Sequence, residues 1–136
     1  MSSHQKDHPQ RSALLLAALL GTAGVAHMTA PRSFDRIVPH ALPGDPRMWT
    51  YASGAAELAI AAAVANPRTR RHGALAAAGL FTAILPANVQ MALDWKERPV
   101  PLRVAAYARL PLQIPLVTWA LGVHRAARSG SARKSG

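Results

Sequence analysis

The chain has 136 residues, half of them apolar and only 16% charged, with no cysteine and a net charge of +10. This length holds one domain, and so low a charged fraction, against about 25% in soluble domains, disfavours an ordinary soluble protein. The absence of cysteine excludes disulfide, CxxC redox and thiolate-metal chemistry within the chain, and the basic residues flank apolar runs instead of forming one nucleic-acid-binding stripe.

Residues 1–11 are polar and are expected to be a disordered N-terminus. Four apolar runs follow: Ala13–Met28, Met48–Ala65, Gly73–Leu93 and Val104–Val123. Each is close to or within the roughly 17–25 residues that a membrane-spanning helix needs. The expected fold is all-α: a four-helix transmembrane bundle over residues 12–125, with spans at 12–29, 47–65, 72–94 and 103–124. A rival reading takes Met1–Ala30 as a cleaved signal peptide.

The first connection, Thr29–Arg47, carries Pro31, Pro39, Pro43 and Pro46, which keep it from being one regular helix. Within it Ser33-Phe-Asp-Arg-Ile-Val places Phe34, Ile37 and Val38 on one face. This reads as a short amphipathic segment at the membrane surface, with Ser33 as its cap. Asn66–His72 and Asp94–Arg103 are tight turns, and residues 126–136 form a basic tail expected to be disordered.

The side holding both termini and the Asn66–His72 turn carries Lys6, Arg11, Arg68, Arg70, Arg71, Arg125, Arg128, Arg133 and Lys134. The other side carries only Arg32, Arg36, Arg47, Lys96, Arg98 and Arg103. Positive charge collects on the cytoplasmic side, so both termini are expected there, in a bacterial plasma membrane. Trp49, Tyr51 and Trp95 then lie at the outer interface, where amphipathic rings belong.

Charged residues at membrane depth are costly and face the protein interior. Glu57 lies about 15 Å from the outer end of its span and Arg109 about 9 Å from that of the last, at 1.5 Å per residue. Asn88 and Gln113 fall in the same outer half. Arg109 and Gln113 share one face, as do Thr50, Ser53, Gly54 and Glu57. Pro86, Pro111 and Pro115 free backbone carbonyls near this layer. The expectation is that Glu57 pairs with Arg109, either as a structural fastener or as a ligand pocket completed by Asn88, Gln113 and Ser53. His27, near the outer end of the first span, either joins that layer or reaches the interface, and the interface is favoured. His72 and His124 lie at similar depth at the inner ends, but interfacial histidines are far commoner than bis-histidine haem ligation. No metal-ligand spacing or catalytic motif is present.

The runs His27-Met-Thr-Ala-Pro-Arg-Ser-Phe-Asp-Arg-Ile-Val-Pro, Trp49-Thr-Tyr-Ala-Ser-Gly-Ala-Ala-Glu, Asn66-Pro-Arg-Thr-Arg-Arg, Pro86-Ala-Asn-Val-Gln-Met-Ala and Ala108-Arg-Leu-Pro-Leu-Gln, with the Leu42-Pro pair, resemble the small DoxX-like membrane proteins. The resemblance covers roughly residues 23–120. It implies a four-helix membrane bundle and an association with thiosulfate oxidation, quinone reduction or oxidative-stress systems. It carries no catalytic residue onto this chain. The functional expectation is a multi-pass protein without catalysis of its own, an accessory or ligand-binding component of a membrane redox system or a homo-oligomer. Its ligand would be a quinone or lipid head group. The alternative is a small proton-coupled transporter that uses Glu57.

Overall fold

A computed structural model describes residues 2–136, with side chains from Asp7 onward. The described chain is all-helical, with no strand. It has five helices: α1 (Ser2–Thr29), α2 (Pro31–Asp35), α3 (Pro46–Ala65), α4 (Arg70–Asp94) and α5 (Val100–Lys134). Two of them, α1 over Asp7–Thr29 and α4, are long and apolar enough to cross a membrane.

Helix ends follow local chemistry. Pro31 opens α2 after Ala30, without a side-chain cap, so Ser33 lies inside the helix and is not its start. Pro46 takes the first position of α3, where a missing N–H costs nothing. Asp45 caps it by accepting the Arg47 N–H at 2.9 Å. Pro67 ends α3 by forcing Asn66 into an extended conformation. The last carbonyls of α3 are then satisfied by the next few side chains: Thr69 Oγ1 donates to Ala63 O, Arg70 Nε to Val64 O and Arg70 Nη2 to Ala65 O.

Both chain ends depart from the expectation of disorder. Helix α1 begins at Ser2, and α5 continues through the basic tail to Lys134. Ala126, Ala127, Arg125 and Arg128 are strong helix formers, so polarity alone is a poor sign of disorder there.

The helices pack as two close pairs, α1 on α3 and α4 on α5, joined along α3 and α4, while α5 returns lightly onto α1. Along the α1–α3 crossing a Cβ on Gly24 would lie 3.0 Å from the Gly54 carbonyl oxygen, so the two backbones touch there. At the α3–α4 hairpin a Cβ on Gly73 would lie 2.7 Å from the Val64 nitrogen. Glycine is required at both places because there is no room for a side chain.

The interior divides by depth. Toward the end that holds both termini the core is apolar, built from Ala13, Leu16 and Leu20, Ala61 and Val64, Ala74, Ala77 and Phe81, Ala120 and Val123. Toward the other end the buried residues include Thr50, Glu57, Asn88 and Gln113. Trp119 Nε1 donates to Ser12 Oγ at 2.9 Å, and His124 Nδ1 lies 2.8 Å from the Arg71 carbonyl oxygen. These two contacts latch α5 to α1 and α4 at the apolar end.

Candidate functional site

Glu57 is 6% exposed, on the buried face of α3 that also carries Thr50, Gly54, Ala61 and Val64. This face looks onto α1. Gly24 and Gly54 let the helices approach closely enough for side chains one turn away to meet. His27 Nδ1 stands 2.9 Å from Glu57 Oε2. The same nitrogen lies 2.8 Å from Ala23 O. Nδ1 carries at most one hydrogen, so two oxygens compete for one donor. Glu57 Oε2 is buried and left without a well-directed hydrogen bond among the described residues.

The expected Glu57–Arg109 pair is therefore not formed; Glu57 pairs with His27. The reason is helix adjacency: α3 packs on α1 and α4, whereas α5, which carries Arg109, packs chiefly on α4. Arg109 Nη1 instead donates to Met91 Sδ of α4 at 3.6 Å, a weak acceptor. His27 is drawn into the buried layer and does not simply reach the interface. Asn88 and Gln113 are both buried, and Gln113 Oε1 has no partner among the described residues. Ser53 is half-buried, one residue before Gly54.

The short helix α2 closes the loop side of this pair. The Phe34 ring stacks on the His27 imidazole with centroids 3.8 Å apart and planes inclined by 24°. The next residue, Asp35, fastens α2 to α3: its Oδ1 accepts from Thr50 Oγ1 at 2.7 Å, and its Oδ2 from Arg47 Nε and Nη2, each at 2.9 Å. Sequence reasoning missed this clasp, although Arg47 and Thr50 are three apart on one face of α3. It also missed the repeated signal at the crossing, a glycine three residues before His27 and another three before Glu57.

The Thr50 hydroxyl, and then the Arg47 guanidinium, hold the Asp35 carboxyl below its ordinary value of 3.8, against the opposing effect of partial burial. A carboxyl lowered in the folded state contributes docking energy that is complete above the ordinary value and lost as pH falls through the lowered one. Helix α2 should thus stay docked at neutral and mildly acidic pH and release only below about 3.8. Hydrogen exchange of its amides across an acid titration reads this directly. Asp35→Asn should abolish the acid step, and release centred above that value would contradict the clasp.

Together these features define a class: an all-helical protein with an imidazole–carboxylate pair buried at a glycine-mediated helix crossing. The profile of a domain of unknown function, DUF8561, matches residues 16–124, and the chain belongs to that family. The matched stretch contains His27, Asp35, Glu57, Asn88, Arg109 and Gln113. No curated protein and no solved structure matches the chain.

Proposed function

We propose that this chain is a four-span protein of the bacterial plasma membrane, of the DoxX-like type, with both termini in the cytoplasm. In this reading the His27–Glu57 pair receives a small ligand with a hydrogen-bond-donating head, a quinol or a lipid head group, and the protein serves as a non-catalytic component of a membrane redox system.

Membrane placement is supported by an inside-out distribution of side chains. Nine of the fifteen buried apolar residues are alanine, while Leu15, Leu75, Val104, Leu112 and Ile114 are at least half exposed. Small residues inside and large apolar residues outside are what lipid solvation favours. Only 22% of the apolar window of α1 and 33% of that of α4 is buried, far less than a soluble core helix would show. A carbonate wash of isolated membranes should leave the chain in the pellet.

The ligand reading is carried by one observation: Glu57 Oε2 is buried yet lacks a donor of its own among the described residues. A hydroxyl entering beside His27 would supply it. The test is mass-spectrometric identification of small molecules extracted from protein purified in mild detergent. A near-stoichiometric quinone or lipid, lost from a folded Glu57→Gln variant, is expected. Preparations of the two proteins with the same extract would sink the ligand role.

A second reading, proton-coupled export of a cation, gains from the placement of Arg109. A fixed guanidinium beside Glu57 would repel such a substrate, and Arg109 is bonded to Met91 instead. Uptake of a lipophilic cation into proteoliposomes under a pH gradient, abolished by Glu57→Gln, would select this reading over the first.

A further inference from the structure

At the end of the bundle that holds both termini a groove of about 720 Å³ opens between the start of α1, the α3–α4 turn and the last turns of α5. Its apolar wall includes Pro9, Pro67, Val123 and Ala127, and its cations are Arg70, Arg133 and Lys134. No carboxylate lines it among the described residues. Arg70 is held in place by bonds to Val64 O, Ala65 O and Gln10 Oε1. A guanidinium has five N–H donors, so two remain to meet an incoming anion. A cation fixed beforehand loses little freedom on binding, and guanidinium matches phosphate geometry.

We propose that this groove binds the phosphate-bearing head group of an anionic phospholipid. The volume far exceeds what a bare phosphate fills, and apolar walls beneath a basic rim suit an amphiphile whose acyl chains continue into the bilayer. Basic recesses between helices on the cytoplasmic side are chemically suited to such head groups. The proposal rests on the membrane placement above, but on none of the residues of the His27–Glu57 site.

The test uses the full chain in a neutral detergent, titrated with phosphatidylglycerol, phosphatidylcholine or inorganic phosphate and followed by native mass spectrometry and thermal unfolding. Phosphatidylglycerol should bind and raise the unfolding temperature, less so at high salt, while phosphatidylcholine and inorganic phosphate should do neither. The double variant Arg133→Ala, Lys134→Ala alters only exposed side chains. It should bind phosphatidylglycerol about 30-fold more weakly, the effect of removing two cations at a membrane surface. Equal response to phosphatidylcholine, equal binding of inorganic phosphate, or an unchanged double variant would each overturn the proposal. If carbonate extracts the chain, the membrane placement fails; if the chain stays in the membrane without preferring phosphatidylglycerol, the groove assignment alone fails.

Discussion

His27→Ala is expected to cost the folded protein about 2 kcal/mol, within the roughly 1–3 kcal/mol lost when a buried polar group is left without its partner. An ordinary interhelical hydrogen bond in a membrane averages about 0.6 kcal/mol, so the larger figure depends on what is left behind. Without His27, Glu57 Oε2 stays buried with no hydrogen-bond partner among the described residues. The Phe34 ring also loses the face on which it stacks. Unfolding by sodium dodecyl sulfate in mixed micelles measures the loss. A double-mutant cycle with Glu57→Ala isolates the pair: His27 and Glu57 should couple by more than about 1 kcal/mol, because each variant removes the same contact. The same cycle between Glu57 and Arg109 should give coupling within error. Coupling of Glu57 to Arg109, with none to His27, would mean that α5 and not α1 faces this carboxylate.

That contrast marks how far the sequence could be read. Spacing placed Thr50, Gly54 and Glu57 on one face, and that face is buried. Asn88 and Gln113 lie inside as well, as polar residues within apolar runs must if the runs span lipid. Helical arithmetic yields depth and direction for each residue. It does not say which neighbouring helix stands in that direction, and Arg109 at a matching depth was the obvious charge partner. Adjacency is decided by close approach, here the meeting of Gly24 with Gly54, and a glycine in a helix announces an approach without naming its partner. The Asp35 clasp was hidden for a different reason. It joins a loop helix to the first turn of α3 across fifteen residues, and loop geometry among prolines is poorly constrained by periodicity. The helical ends were hidden because residues such as Arg128 and Lys134 are polar and helix-favouring at once.

The crossing that brings His27 to Glu57 makes the second large effect a matter of steric fit. A Cβ on Gly54 would sit 2.7 Å from His27 Cβ and 3.2 Å from the Gly24 carbonyl oxygen. Neither neighbour is the end of a flexible side chain, so α1 itself must shift. Gly54→Ala should therefore destabilise by about 2 kcal/mol, within the range for overpacking a filled interior, and Gly54→Val by more. Since the shift carries His27 with it, the coupling between His27 and Glu57 should shrink in the Gly54→Ala background. Gly79 supplies the opposite case on α4, where an added Cβ meets nothing within 4 Å. There alanine relieves the helix of a glycine and should stabilise it by up to about 1 kcal/mol. One methyl group added at two glycines of the same bundle should thus move the unfolding midpoint in opposite directions. Equal shifts at Gly54 and Gly79 would mean that α1 and α3 do not touch where the His27–Glu57 site requires them to.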